Sequence, residues 1–331
     1  MITLEGVDDI ALTRLNERMT YSRAKLVVIL GPTASGKTTA AIRLANKING
    51  AIVSADSRQV YTGMDIGTAK PNLDQMDADD KSGKGQVPHH ILLPDKINGI
   101  KHYLINIRRP NEEMSLTEWQ AAAYQTIDTI IDQHMTPILA GGTMLYVDSV
   151  VRAYNIPAVP KDDERRSKLA AQTVEELYKQ LIKVDPKAAL FVQANHARRI
   201  IRALEVIEAT GRPFSEMRKK GECLYEVEMY GLFPGWETLR DNITTRVQQM
   251  LDIGLVEEKQ KLIDKYGIGL PLLKTINYYQ VPDKNEMIRR NMKYARRQMS
   301  WWRGREEIKW FKTAEEMLET YDAGIAPATV G

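Results

Sequence analysis

A run of five apolar residues, Leu26-Val-Val-Ile-Leu30, passes directly into Gly31-Pro-Thr-Ala-Ser-Gly-Lys-Thr38, which fits G-x-x-x-x-G-K-[ST]. A short continuous apolar run marks a strand buried on both faces, as in a parallel sheet. The glycine-rich loop leads from it into a helix, and the loop N–H groups and helix N-terminus form a cradle for phosphate. Lys37 adds a mobile positive charge, and the Thr38 hydroxyl is placed to touch Mg2+. The pattern predicts that Gly31, Pro32, Thr33, Ala34, Ser35, Gly36, Lys37 and Thr38 hold a di- or triphosphate, without selecting ATP.

The same rhythm continues downstream. Ala40, Ala41, Leu44, Ala45 and Ile48 recur at helical spacing over 37–48, and Ala51-Ile-Val-Ser54 reads as a second strand. An irregular stretch runs to about residue 110, and within it 74–85, acidic and then basic and glycine-rich, reads as a surface loop. Ser115 and Glu118 form a capping box. They open a helix with Trp119, Ala123, Ile127 and Ile130 on its buried face, and Ile138-Leu-Ala140 is a third strand. This alternation implies right-handed crossovers and a parallel sheet.

After Pro157-Ala-Val-Pro160 only helical patterns follow, at 162–171, 173–183 and 195–209, the last stopped by Gly211-Arg-Pro213. A strand at Glu226–Tyr230 and helices at 237–252 and 284–302 then return. The expected fold is α/β, a phosphate-loop NTPase-like core with a parallel sheet flanked by helices, plus an all-helical insertion domain. The core spans 23–158 and 227–331, the insertion 159–226, and residues 1–22 are an N-terminal extension. A length of 331 residues suits two domains at ~150 residues each.

Charge is close to balanced, with 46 Lys+Arg against 43 Asp+Glu, so composition alone announces no nucleic-acid partner. One cysteine, Cys223, excludes a disulfide framework, and the five histidines show no second ligand set at metal spacing. No apolar run approaches the ~20 residues of a membrane helix. Residues 1–24 carry Glu5, Asp8 and Asp9 and lack a signal-peptide pattern. A soluble, cytoplasmic, monomeric enzyme without a membrane partner is expected.

An ATPase normally carries an acidic Mg2+ ligand at a later strand end. Here the third strand ends in Gly141-Gly-Thr143, and the carboxylate comes after the second strand, in Ser54-Ala-Asp56-Ser57-Arg58-Gln59. In an open parallel sheet both strand ends face the ligand site. Asp56 there is a general base, an outer-sphere partner of a metal ion or a turn cap. Thr143 hydrogen-bonds a substrate or caps the next helix. A nucleotide kinase would want the missing acidic ligand, whereas a non-catalytic RNA-binding module would leave Asp56 and the loop idle.

Taken together, GPTASGKT from Gly31, SADSRQVYTGMDIGTAKP from Ser54 to Pro71, GGTMLY from Gly141, RALEV and TGRP between Arg202 and Pro213, and ARRQMSWWR from Ala295 to Arg303 resemble the tRNA dimethylallyltransferase (tRNA isopentenyltransferase) family, in order and over roughly 25–312. The resemblance implies prenyl transfer from dimethylallyl diphosphate to the exocyclic amine of the adenine 3′ of the anticodon in tRNA. It implies that the loop holds a pyrophosphate leaving group with Mg2+ rather than ATP. By matching position, Asp56 takes the amine proton, Thr143 lies beside it, and Arg246 clamps the pyrophosphate. Asp56, Ser57, Arg58 and Gln59, with Arg165, Arg198, Arg199 and Arg202 on the insertion, fall at the tRNA anticodon stem-loop. The chain departs from the family pattern in four places, one of them a Pro-His-His region that is duplicated or lengthened, with Pro88-His-His90 and then His102-Tyr-Leu-Ile-Asn-Ile107. Gly142-Thr-Met-Leu-Tyr146 replaces Gly-Thr-Gly-Leu-Tyr, Asn277-Tyr-Tyr-Gln280 replaces Gly-Tyr-Arg/Lys-Glu, and Asn291-Met292 replaces Thr-Arg, with Arg289 or Arg290 as substitutes for the lost charge.

Residues 281–312 hold ten basic and four acidic residues, with Trp301, Trp302 and Trp310 interleaved. Such a patch suits phosphate contacts with stacking. On 195–209, Ile200, Leu204 and Ile207 share a buried face, and Arg198, Arg199 and Arg202 lie elsewhere on the helix. Arg296, Arg297 and Arg303 form a second basic surface.

Overall fold

The computed structural model describes residues 23–71, 94–157, 159, 161–217 and 221–322; the 1–22 extension and the 74–85 loop lie outside them. The chain divides into two compact units, Met1–Val151 with Leu224–Gly331, and Arg152–Cys223.

The first unit is built on a seven-stranded sheet of β1 (Lys25–Leu30), β2 (Gly50–Ser54), β3 (Asp95–Ile97), β4 (Ile100–Tyr103), β5 (Thr136–Gly141), β6 (Glu226–Leu232) and β7 (Ile308–Phe311), in the order β3-β4-β2-β5-β1-β6-β7. All pairs are parallel except the short β3–β4 hairpin at one edge. Helices in chain order are α1 (Lys37–Lys47), α2 (Leu116–Asp132) and α3 (Met144–Val151), then α4 (Asp163–Ala170), α5 (Val174–Val184), α6 (Ala197–Thr210) and the single turn α7 (Phe214–Met217) of the second unit. The first unit resumes with α8 (Trp236–Asp252), α9 (Leu255–Tyr266), α10 (Lys284–Trp302) and α11 (Ala314–Asp322).

The apolar run of β1 is continuous because both of its faces are covered. Leu26, Val28 and Leu30 join Trp119, Ile127 and Ile130 of α2 in one core, while Val27 and Ile29 pack with Ala40, Ala41 and Leu44 of α1 in another. Burying a side chain such as Leu44 contributes ~1.5–3 kcal/mol. The Ser115–Glu118 capping box forms as the sequence predicts. The β3–β4 hairpin falls inside the stretch read as irregular, and β7, α9 and α11 are additions that the sequence pattern does not announce.

The second unit packs Leu169, Leu177, Leu181, Ala188, Ile200, Ala203 and Leu204 into its own core. Thr173 with Glu176 forms a capping box on α5, and Gly211 ends α6 in a left-handed conformation, φ 65°. The unit opens at Arg152 rather than 159 because α3 ends at Val151. It closes at Cys223 rather than 226 because Tyr225 is buried in the first unit's core and Leu224 packs against it.

Candidate active site

Strands β2, β5 and β1 are neighbours, so the loops leaving their C-terminal ends converge. They are the phosphate loop after β1, Asp56–Gln59 after β2 and Gly142–Thr143 after β5. The approach is close: a Cβ on Gly141 would meet the Ala55 carbonyl oxygen at 2.2 Å, so only glycine fits. Thr143 donates its backbone N–H to that same oxygen at 3.1 Å.

Asp56 begins a turn. Its Oδ1 accepts the N–H of Arg58 at 2.8 Å and of Gln59 at 3.4 Å, while Oδ2 takes no hydrogen bond among the described residues. The Thr143 hydroxyl accepts the Ser57 N–H at 2.9 Å and meets the Ser57 hydroxyl at 3.3 Å. That hydroxyl therefore anchors the Asp56 turn rather than capping α3.

The phosphate loop reaches α1 through Gly36 at φ 86°, a left-handed conformation that glycine adopts without cost. Lys37 donates to the Pro32 carbonyl at 3.0 Å. Burial lowers its ammonium to about 8, with Asp56 opposing the shift and Arg246 adding to it. Arg246 of α8 donates through Nη2 to Thr33 Oγ1 at 2.7 Å and Asn291 Oδ1 at 3.0 Å. Burial lowers its guanidinium to about 10 against the pull of Asp56, so it stays charged at neutral pH. Ser35 Oγ and Arg246 Nε are buried without hydrogen-bond partners among the described residues. An unsatisfied buried polar group costs ~1–3 kcal/mol. Two such donors at one loop suit a site built for an anion.

Thr38 is exposed at the start of α1. Among the described residues no cluster of three or more His, Cys, Asp or Glu side chains forms a cation cage. A hydroxyl and one carboxylate at a diphosphate cradle nevertheless fit Mg2+, which keeps several waters and is usually bound through one or two carboxylates plus phosphate oxygens.

One residue that tightens the site is absent from the sequence-derived candidates. Gln298 of α10, 1% exposed, accepts the Thr33 N–H at 2.8 Å through Oε1 and donates to the Gly142 carbonyl at 2.7 Å through Nε2. It thus ties the phosphate loop to the end of β5. Tyr294, one helical turn earlier, donates to the same carbonyl at 3.2 Å. Burial and the nearby Asp56 carboxylate push its hydroxyl pKa up. A signal exists in the pattern: Asn291 and Gln298 interrupt the buried face of α10 formed by Met287, Ala295 and Trp302.

Much of the 54–71 motif holds itself together. Gln59 donates to the Thr68 and Ala69 carbonyls at 3.3 Å each, so this candidate tRNA contact is committed inside the loop. Glu258 of α9 accepts the N–H groups of Asp65 and Ile66 at 2.8 Å and of Gly67 at 3.0 Å, and the Tyr278 hydroxyl at 2.6 Å. Arg58 is exposed and its side chain has no hydrogen-bond partner among the described residues.

The basic candidates separate into two kinds. On α6, Arg198 and Arg199 are exposed and without ion-pair partners among the described residues. Arg202 instead donates to the Val159 carbonyl at 3.1 Å and faces the buried Glu205, which Arg166 holds at 2.6 and 2.9 Å. Arg165 pairs with Glu208 at 2.7 Å. On α10 and just beyond it, Arg296, Arg297 and Arg303 are exposed, whereas Arg289 and Arg290 both pair with Glu286 and are poor substitutes for the charge missing at Met292. Trp302 is fully buried core, and Trp301 donates its indole N–H to Asp148 at 2.8 Å.

A phosphate loop at the C-terminal edge of a parallel sheet, with a carboxylate at the end of β2, one strand beyond the neighbouring β5, defines a phosphate-loop enzyme of the α/β class. The IPP transferase family pattern matches residues 59–305, and an isopentenyl transferase pattern matches 24–81. A tRNA dimethylallyltransferase from Gloeothece citriformis is 39% identical over 300 residues, 87% of this chain and 91% of that one. Another, from Halalkalibacterium halodurans, is 36% identical over 307 residues, again 87% and 91%. The crystal structure of a full-length tRNA isopentenylpyrophosphate transferase from Bacillus halodurans matches with a TM-score of 0.60 at 34% identity, covering 91% of this chain and 96% of that one. A eukaryotic dimethylallyltransferase acting on tRNA shares the fold, with a TM-score of 0.68 at 22% identity over 91% of this chain and 77% of that one. The chain belongs to the tRNA dimethylallyltransferase family.

Proposed function

We propose that this enzyme transfers the dimethylallyl group of dimethylallyl diphosphate to the N6 amine of the adenine 3′ of the anticodon in tRNA, releasing pyrophosphate. The observation that carries the reading is the Asp56 carboxylate, with Oδ2 unengaged among the described residues, close enough to the phosphate loop to act on Lys37 and Arg246.

The N6 nitrogen attacks the allylic C1 and forms the new C–N bond. The C1–O bond breaks, and its electron pair leaves with the pyrophosphate. Loop N–H groups, Lys37 and Arg246 stabilise the charge that develops there. Asp56 accepts the proton of the amine, a weak nucleophile that gains from a base as the bond forms. Thr38 would hold Mg2+, with Asp56 at most an outer-sphere partner, and the ion when bound would add positive charge beside the diphosphate. The adenine leaves its stack to reach the site, at a cost of a few kcal/mol. The exposed Arg198 and Arg199, and separately Arg296, Arg297 and Arg303, supply phosphate contacts for the stem-loop. On this reading the reaction is cytoplasmic and the enzyme acts as a monomer, since one chain carries every residue named.

Incubation with tRNA, Mg2+ and either labelled dimethylallyl diphosphate or γ-labelled ATP tests the reading. Label entering tRNA from the prenyl donor, with ATP intact, is expected. ATP turnover without prenylation would favour a kinase.

A further inference from the structure

Two of the residues at which the chain departs from the family pattern, Asn277 and Asn291, are hydrogen-bonded to each other beneath Arg246. Asn291 donates through Nδ2 to Asn277 Oδ1 at 2.7 Å and to the Met287 carbonyl at 2.9 Å. Asn277 donates through its own Nδ2 to the Gly67 carbonyl at 2.8 Å. Both are buried, Asn291 2% and Asn277 5% exposed. We propose that Asn277 and Asn291 form an amide relay that positions Arg246 on the phosphate loop without neutralising its charge, and so sets the enzyme's affinity for diphosphate. The proposal rests on the reading of that loop as a pyrophosphate site.

The relay has a direction. The Gly67 carbonyl accepts, so Asn277 turns its NH2 toward it and its oxygen toward Asn291. Asn291 spends both amide protons on Asn277 and Met287, so its own oxygen is the atom that faces Arg246, at 3.0 Å. Flipping either amide would set donor against donor. The origin of the relay is itself fixed, because the Gly67 N–H is held by Glu258. The backbone allows few alternatives at the middle position: Asn277 lies at φ 74°, where asparagine is tolerated and most other side chains are strained.

The choice of amide matters chemically. A carboxylate at 291 would hold Arg246 more strongly, through a charge-assisted bond. It would also cancel the positive charge that the leaving pyrophosphate needs. A neutral oxygen orients the guanidinium and leaves its charge for the ligand. In the family pattern glycine stands at 277 and threonine at 291. A threonine hydroxyl can donate back to the carbonyl four residues earlier on its helix, here Met287, and offer a lone pair to Arg246. Asparagine at 291 gains its fixed orientation only if a partner at 277 accepts from it. The two departures therefore read as one compensated change.

Titration calorimetry with inorganic pyrophosphate and Mg2+, alongside binding of tRNA and thermal unfolding, tests the relay. Asn291→Ala, which loses one hydrogen bond to a charged group, and Asn291→Asp, which cancels the Arg246 charge, are each expected to weaken pyrophosphate at least ~10-fold while tRNA affinity stays within ~2-fold. Asn277→Gly alone weakens it through the freed amide, and Asn277→Gly with Asn291→Thr restores it. In turnover, the loss shows in KM for the prenyl donor and not in KM for tRNA. Wild-type pyrophosphate affinity in Asn291→Ala, or a double variant no better than Asn277→Gly, would overturn the relay. If the wild type binds pyrophosphate but does not prenylate tRNA, the proposed reaction fails and the relay stands.

Discussion

The hydroxyl of Thr143 accepts the backbone N–H of Ser57 at 2.9 Å, so the end of β5 fixes the turn that Asp56 opens at the end of β2. Asp56 has two tasks in that turn: one oxygen caps it and the other is available for a proton. These tasks are separable by mutation.

Asp56→Asn keeps an oxygen for the Arg58 N–H and removes the base. Its kcat should fall at least ~100-fold, the range for lost general-base catalysis, with tRNA affinity little changed. Thr143→Ala keeps the carboxylate but loosens the turn, so its kcat should fall less, by ~10-fold, and Thr143→Ser should restore it. Single-turnover rates and a tRNA binding isotherm for the three variants check this ordering. An Asp56→Asn enzyme with near-normal turnover would remove the assigned base.

Lys37 gives a pH prediction. Its folded pKa, about 8, lies below the ordinary lysine value. Lys37 is therefore charged below about pH 8 and loses its proton as pH rises through that point, while an unfolded lysine stays protonated to ~10.4. For stability, the unfolded chain binds the extra proton between these values, so this group favours folding more as pH rises across that window. For function the sign is opposite, because the charged form attracts diphosphate. The kcat/KM for the prenyl donor should decline above about pH 8, and Lys37→Arg should move that limb upward. Profiles of the two enzymes from about pH 6 to about pH 10, a range that spans both lysine values, check it.

On α6, Arg198 and Arg199 are exposed, whereas Arg202 is tied to Glu205 and Val159. Replacing Arg198 and Arg199 together with Ala should raise KM for tRNA and flatten its salt dependence, since each phosphate contact contributes to the salt slope. Arg202→Ala should instead lower the thermal midpoint, because Glu205 is buried and keeps only Arg166. Measuring KM at two salt concentrations, with melting curves, separates the two roles.

Asp148 of α3 accepts from Arg305 at 2.6 and 2.7 Å and from Trp301 at 2.8 Å, with its side chain 1% exposed. Arg305→Ala removes a bidentate cation from a buried carboxylate, and breaking a buried ion pair costs up to ~3–5 kcal/mol. Denaturant unfolding of that variant should show the loss, while Arg303→Ala, an exposed neighbour, should show little.

The central sheet is legible in the sequence because β1, β2 and β5 are apolar runs bounded by motifs, and the capping box at Ser115 marks α2. The hairpin β3–β4 is not legible: strands of three and four residues containing Asp95, Lys96 and Lys101 carry no usable periodicity. At the site, Asp56 and Lys37 are readable from motif and position, and Arg246 only through the family resemblance. Gln298 is not, because a polar residue in an Arg-rich helix reads as surface until the helix face is known. Nor does the sequence separate Arg202 from Arg198 and Arg199, since the separation depends on a buried Glu205 contributed by the same helix. Asn277 and Asn291 are visible in the sequence only as two unrelated departures; the fold brings their side chains into hydrogen-bond contact at 2.7 Å.

Central to the proposed mechanism is a phosphate loop that would serve a leaving pyrophosphate and an Asp56 that would serve an adenine amine. Quantifying pyrophosphate release against prenylated nucleoside in the same tRNA reaction, with mass-spectrometric location of the product, tests it most directly. The mechanism predicts one pyrophosphate per prenyl group, the group on N6 of the adenine 3′ of the anticodon, and loss of both signals together in Asp56→Asn. Pyrophosphate release without prenylated adenine, or an unmodified tRNA after ATP consumption, would contradict it.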